Sequence, residues 1–99
     1  MANICTNIFY ASSELVQSID AVRTFIEKNF PDDWYSQDDE YQIEAEFDSR
    51  WDFPQILFED LGKSLQHDNS LYIRCLSYEL SNEYACLSVY RNGEWNIGV

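Results

Sequence analysis

The sequence predicts an α+β fold in which two helices pack on one face of a mixed, mainly antiparallel sheet. Three observations support this fold class. Two segments repeat apolar residues at helical spacing, five segments have the composition or alternation of strands, and no linker, repeat or low-complexity stretch divides them. With 99 residues, 45% of them hydrophobic, the chain can bury one core, so we expect a single domain over residues 1–99.

The first part of the chain predicts a strand, a helix and a loop. Residues 3–11 are rich in β-branched and aromatic types, which favours a strand. Ser12-Ser13 then offers a helix N-cap, and apolar residues recur at helical spacing from Leu15 to Ile26. Because proline cannot continue the hydrogen-bond ladder, Pro31 ends this helix, which we expect over about 13–29. The polar residues 31–40 predict a loop.

The next segment alternates strictly between two kinds of residue. One face would hold Tyr41, Ile43, Ala45 and Phe47, and the other Gln42, Glu44, Glu46 and Asp48. A period of two with one polar face predicts a half-buried strand. An acidic row of this kind excludes a fully buried parallel strand.

The second half predicts one more helix and three more strands. Asp52 or Phe53 at the cap and Pro54 in the first turn predict a helix start, and leucines at helical spacing continue it to about residue 66. Strands are expected over about 70–80 and 83–91, with a tight turn at Ser81-Asn82. Asn92-Gly93, which tolerates positive φ, predicts a hairpin that returns as a short last strand.

Composition indicates a cytoplasmic protein that avoids nucleic acid and membranes. The first residues lack the basic and apolar regions of a signal peptide, and no stretch reaches the roughly 18 apolar residues of a membrane helix. Three cysteines in apolar surroundings predict buried thiols in a reducing compartment. A net charge of -12 favours basic partners over nucleic acid or anionic lipid.

Two stretches resemble a known family, the YubB-like proteins. Ala2-Asn3-Ile4-Cys5-Thr6-Asn7 is similar to that family's opening Asn-Trp-Cys-x-Asn strand, and the segment from Phe47 to Pro54 resembles its Trp-containing entry into the second helix. The tail from Tyr84 to Trp95 is compatible with the family's final hairpin. The resemblance implies a ferredoxin-like two-layer sandwich and a phage or other mobile-element setting, and it supplies no catalytic residues.

The acids are concentrated in the middle of the chain. Residues 32–60 hold eleven of the eighteen acids and one base, Arg50, which gives a local net charge of -10. On the predicted strand, Glu44, Glu46 and Asp48 would stand about 6–7 Å apart, similar to the spacing of phosphates along a nucleic-acid strand. Such a row can imitate a nucleic acid and occupy a cationic groove. The alternative is a solvated face that only keeps the protein soluble.

The other candidate sites have weaker support. The acids of residues 32–40 lack EF-hand spacing and its glycine, so no specific metal site is expected. No phosphate-binding glycine loop is present, and the only histidine, His67, lies in a predicted loop. We therefore expect a protein that is not an enzyme and has no cofactor, although two close carboxylates leave a small hydrolase as a third hypothesis.

These observations together predict an inhibitor that acts by nucleic-acid mimicry. It would be a non-enzymatic phage or mobile-element protein that occupies the cationic surface of a host nuclease or defence complex. The predicted partner-binding acids are Asp38, Asp39, Glu40, Glu44, Glu46 and Asp48. Trp34 and Tyr35, flanked by these acids, would anchor an arginine-rich partner. The alternative is a general structural or interaction module whose acidic face is only solubilising.

Overall fold

A computed structural model describes residues 4–30, 33–50 and 53–98. The elements, in chain order, are β1 (Ile4–Ser12), α1 (Val16–Asn29), β2 (Trp34–Asp38), β3 (Gln42–Arg50), α2 (Gln55–Ser64), β4 (Tyr72–Glu79), β5 (Tyr84–Arg91) and β6 (Glu94–Ile97), with a 3₁₀ turn at Leu80–Asn82 between β4 and β5. Four residues near the predicted helix ends lie outside the described residues: Pro31, Asp32, Trp51 and Asp52. The predicted α+β class with two helices is confirmed.

The six strands form one sheet in the order β2-β3-β1-β4-β5-β6, and all neighbours are antiparallel. The prediction of a mixed sheet was therefore wrong. Each helix does connect two strands that run in the same direction, β1 to β2 and β3 to β4. In both cases another strand of opposite direction lies between them, so no two parallel strands are neighbours.

Both helices cover the same face of the sheet. The odd-numbered residues of β1, β3 and β4 point to this side and are almost all buried. Phe58 of α2 lies 5.7 Å from Phe9 of β1 and 5.1 Å from Phe25 of α1, measured between ring centroids. Phe30, just after α1, stacks on Phe47 of β3 at 4.1 Å. This aromatic cluster fixes both helices on one side, and no described element covers the other side of the sheet.

Asn7 joins the three central strands inside this core. Its side chain is completely buried on β1. Its Nδ2 donates to the Phe47 carbonyl at 3.2 Å and to Ser49 Oγ at 2.9 Å on β3, and its Oδ1 accepts from Ser77 Oγ at 2.6 Å on β4. Because buried amide groups are costly when unpaired, these bonds favour one register of β1 against both neighbours.

Helix α1 begins at Val16, three residues later than predicted. Leu15, just before the helix, has an extended backbone with φ -105° and ψ 118°. The Ser13 hydroxyl accepts from the Leu15 N–H at 2.9 Å and donates to the buried carboxylate of Asp68. Helix α2 likewise begins at Gln55, just after Pro54, and ends at Ser64.

The predicted loop over 31–40 contains a strand. Trp34–Asp38 pairs antiparallel with β3 as the edge strand β2, so the loop prediction was wrong for these residues. The register shifts between Tyr35 and Gln37, which marks a β-bulge at Ser36. The polar composition of β2 fits an edge strand, because one side of its backbone faces water.

The hairpin between β5 and β6 has the turn that the sequence predicts. Asn92 and Gly93 have φ values of 54° and 78°, the left-handed conformation that this turn type requires. The hairpin brings Trp95 onto α2, where its Nε1 donates to the Phe58 carbonyl at 2.9 Å. Tyr90 Oη donates to the Gly62 carbonyl at 3.2 Å. A Cβ on Gly62 would stand 2.7 Å from Trp95 Nε1 and 2.8 Å from Tyr90 Cε1, so only glycine allows this contact.

We expect Gly62→Ala to destabilise the protein although alanine is the better helix former. The added methyl group collides with two aromatic rings, and overpacking of this kind costs about 1–3 kcal/mol. Urea unfolding measures the loss, with Lys63→Ala on the exposed side of α2 as the control that should stay close to wild type. An equal or higher unfolding free energy for Gly62→Ala would contradict the packing.

Asp68 is a buried acid that ties the start of α1 to the segment before β4. It accepts from Ser13 Oγ, from Ser70 Oγ at 2.6 Å and from the Ser70 N–H at 2.9 Å. Burial alone would raise the pKa of Asp68, but these hydrogen bonds outweigh it and lower the pKa to about 2. The ionised form of Asp68 is therefore part of the folded structure.

We expect Asp68→Asn to lower the unfolding free energy by about 2 kcal/mol near neutral pH. Since the folded state depresses this pKa, the contribution of Asp68 is present above its ordinary pKa near 4 and disappears as the pH falls towards about 2. Thermal unfolding of both proteins across this range should show the difference shrinking with acid. A difference that stays constant from neutral to acid pH would mean that the charge of Asp68 is not involved.

Candidate docking face

The side of the sheet opposite the helices, here called the open face, carries the candidate site. It is formed by the even-numbered residues of β1, β3 and β4 and by the odd-numbered residues of β5. In the described part of the chain, no helix packs on it. Its composition differs from strand to strand, because β3 supplies three acids and Arg50, whereas β1, β4 and β5 supply mainly apolar and aromatic side chains together with Arg74 and Arg91.

The acidic row, Glu44, Glu46 and Asp48, lies on this face as predicted. The intervening Ala45 and Phe47 are buried on the helix side, which fixes the direction of the acids. Among the described residues none of the three acids forms a salt bridge, and Glu44 accepts one hydrogen bond, from Ser36 Oγ at 3.2 Å. The strand holds the carboxylates about 6–7 Å apart. The row is therefore a rigid line of three negative charges without a salt bridge in the described part of the chain, and Arg50 follows it on the same strand face.

Trp34 of β2 stands beside this row. It pairs directly with Glu46 across the β2–β3 ladder, and 64% of its surface is exposed. A shallow cavity of about 150 Å³ lies next to it. Its walls include Trp34, Ser36, Glu44, Glu46, Ile8 and Arg74. An exposed indole beside two carboxylates is a suitable site for a cationic group.

Asp38 and Tyr35 face the other way. The bulge at Ser36 pairs Asp38 with Ile43, a core residue of β3, so the Asp38 side chain lies towards the helices. There it forms a salt bridge of 2.7 Å with Arg23 of α1. Tyr35 is half-buried against the core, and its pKa is raised, first by burial and then by the charge of Asp33. The structure therefore does not place Asp38 or Tyr35 with the acidic row.

Asp39 and Glu40 lie in the turn between β2 and β3. Asp39 Oδ1 accepts from the N–H groups of Tyr41 and Gln42, each at 2.9 Å, and its Oδ2 accepts from Gln37. These bonds, first that from Tyr41, lower the pKa of Asp39. Asp39 thus shapes the turn, while Glu40 is exposed at its tip.

Sequence reasoning missed a group of apolar residues on the open face, here called the apolar band: Ile4, Ile8, Leu76 and Leu87. Ile8 pairs with Glu46 on one side and with Leu76 on the other, and Leu76 pairs with Leu87. Ile4, Ile8, Leu76 and Leu87 are 49%, 46%, 40% and 37% exposed. The sequence contains one sign of the band: side chains alternate along a strand, so Ile8 and Leu76 must face the side opposite to the buried Phe9 and Cys75. This alternation identifies an exposed band only when the sheet is known to lack a second layer of helices.

One end of the open face is cationic. Arg74 of β4 lies over the ring of Tyr10 at 4.3 Å, and Arg91 of β5 lies over Tyr72 at 5.4 Å from its guanidinium carbon to the ring centroid. Such stacking holds each guanidinium in place. The open face therefore has an acidic side on β3, an apolar middle and a cationic end.

The shifted pKa values of the described acids all move in one direction. Three described acids have clearly shifted pKa values, Asp39, Asp68 and Glu79, and all three pKa values are lowered, whereas a general acid needs a raised one. Burial raises the pKa of the Cys75 thiol to about 12. No group of three or more described His, Cys, Asp or Glu side chains is placed to hold a metal ion.

Comparison with protein-family models, with curated proteins and with solved structures finds no match to this chain. Within the described residues, no helix is long and apolar enough to cross a membrane.

We expect the triple change Glu44→Gln, Glu46→Gln and Asp48→Asn to leave stability unchanged or to raise it at low salt. The three acids repel one another and form no ion pair among the described residues, so the fold does not need their charge. Asp39→Ala, by contrast, removes the acceptor of two turn N–H groups and should lower the unfolding midpoint. Thermal unfolding compares the two variants, and a large loss in the triple variant would show that the acidic row is structural.

Proposed function

We propose that this chain is a non-enzymatic acidic binding protein that occupies a cationic, nucleic-acid-binding surface of another protein. The observation that supports the proposal is the acidic row, held on one face of β3 and without a salt bridge to any described cation. A line of fixed charges at this spacing presents a basic groove with a pattern similar to that of phosphates. The expected mechanism is competitive occlusion, which weakens as salt rises.

The proposed contact residues are fewer than the sequence alone predicts. Glu44, Glu46 and Asp48 form the row, and Trp34 supplies the aromatic anchor beside it. Glu40 extends the charge at the exposed turn. Asp38, in its ion pair, and Asp39, in the turn, would act on a partner only through their negative charge. Tyr35 lies on the other side of the sheet and is not a proposed contact.

We further infer a ferredoxin-like core and a relation to the YubB-like family. The element order βαββαβ from β1 to β4, with these four strands ordered β2-β3-β1-β4, supports the first inference, and β5 and β6 would be an extension. The burial of Cys5 and Asn7, two residues of the opening motif, is a structural reason for such a motif. On this basis we propose a cytoplasmic phage or mobile-element inhibitor whose partner is a host nuclease or defence complex.

Charge reversal at the acidic row tests the proposal. Tagged protein should capture a basic nucleic-acid-binding protein from a host lysate, and Glu44→Lys, Glu46→Lys and Asp48→Lys together should abolish this capture. The matched control reverses the exposed Glu14, Glu27 and Asp60 on the helical side, which changes the net charge equally. Circular dichroism shows whether both variants fold.

The two variants must behave differently for the proposal to stand. Capture that survives reversal of the acidic row, or that is lost equally in the control, would contradict a specific role for the row. The alternative function, an interaction module whose acids only solubilise it, predicts the first of these results. The apolar band is the observation that favours this alternative, because a protein contact through Ile8 and Leu76 needs no acids.

A further inference from the structure

We propose that the open face binds a basic amphipathic helix of the partner. The apolar side of this helix would pack on the apolar band, and Lys or Arg along one flank would meet the acidic row. The inference rests on the proposed function for the role of the acidic row, and it adds the secondary structure and the apolar half of the partner surface.

The width of the apolar band suits one helix. Ile8, Leu76 and Leu87 form one row across β1, β4 and β5, three adjacent strands about 4.8 Å apart, so the row spans about 10 Å, and Ile4 continues the band along β1. A helix with its side chains is about 10 Å across. The acidic row lies on β3, one strand beyond β1, within reach of a long basic side chain. The two helices of this chain cover the opposite face of the same strands, so the sheet already accepts helices as a packing layer.

The side of the cavity formed by Trp34 on β2 and by Glu44 and Glu46 on β3 would take one cationic head group, and Arg74 lines the opposite side of the cavity from β4. A volume of about 150 Å³ is small for a cofactor, since small-molecule sites are usually about 300–1,000 Å³, but it suits the end of one side chain. The indole of Trp34 offers a cation–π surface, and Glu44 and Glu46 offer charged acceptors for a guanidinium.

Charge selects this occupant over the others. Arg74 and Arg91 repel cations at one end of the face and Arg50 at the far end of β3, so the basic flank of a bound helix is confined to the acidic row between them. A second copy of this chain carries the same net charge of -12, which opposes self-association. A nucleic acid meets repulsion from the acidic row, although Tyr10 and Tyr72 could stack on bases.

A synthetic peptide tests the occupant directly. The probe is a helix of about 20 residues built from Leu, Ala, Lys and Arg with one apolar and one basic side, and its control is a peptide of identical composition scrambled to remove the apolar side. We expect the amphipathic peptide to bind at least about tenfold more tightly by fluorescence anisotropy. Ile8→Thr with Leu76→Thr should weaken it about tenfold, and part of the affinity should remain at high salt.

A matched variant keeps the result interpretable. Ile56→Thr with Leu57→Thr removes residues that are 76% and 38% exposed on α2, which covers the opposite face of the sheet, and it should bind like wild type. Thermal unfolding of each variant shows whether it folds. Should Ile8→Thr with Leu76→Thr fail to fold, Leu87→Thr alone provides the same test on β5.

The outcomes separate this inference from the proposed function. Equal binding of the two peptides, or no effect of Ile8→Thr with Leu76→Thr, overturns helix docking and leaves charge mimicry standing. If reversing the acidic row abolishes neither capture nor peptide binding while the apolar changes do, both mimicry and the basic flank of the proposed helix are overturned. A dimer in sedimentation that the apolar changes dissociate, or tighter binding of a single-stranded oligonucleotide than of the peptide, overturns the inference in favour of that occupant.

Discussion

Asn7 determines which side chains reach the open face. Its amide bonds β1 to β3 on one side and to β4 on the other, from a position with no access to water. Since side chains alternate along a strand, a slip of one residue would turn Ile8 into the core and Phe9 out to solvent. The pairings of Ile8 with Glu46 and with Leu76 exist only in the register that satisfies Asn7. The docking face is thus a consequence of a polar group in the core.

Local patterns in the sequence account for the parts of the fold that local physics controls. Helical spacing predicts both helices, and the alternation around Glu44 predicts which side of β3 is acidic. The end residues also have distant partners. Ser13, predicted at the cap of α1, lies before the helix and bonds with Asp68, which lies 55 positions further along the chain. No window of sequence around Ser13 contains that partner.

Only part of the candidate site could be predicted, because the rest depends on pairing with another strand. The segment from Trp34 to Asp38 is polar enough to resemble a loop, and only its ladder with β3 makes it a strand. The bulge at Ser36 then sends Asp38 to the helix side while Trp34 remains on the open face. The acids in the middle of the sequence therefore fall into two groups. Asp39 stabilises a turn and Asp38 forms an ion pair, whereas the acidic row faces solvent without a salt bridge. Composition cannot make that division, because it depends on which way each residue points.

The position of β1 in the middle of the sheet has a consequence for biosynthesis. β1 is made before both of its neighbours, and its second neighbour, β4, comes about sixty residues later in the sequence. A ribosome adds about 5–20 residues each second, so Ile4, Ile8 and both edges of β1 wait several seconds for their partners. During that interval the nascent chain carries apolar segments without a completed sheet, and the acids between residues 33 and 60 emerge before β4 does. Their mutual repulsion opposes association between unfinished chains, which gives the same charges a role before the folded protein exists.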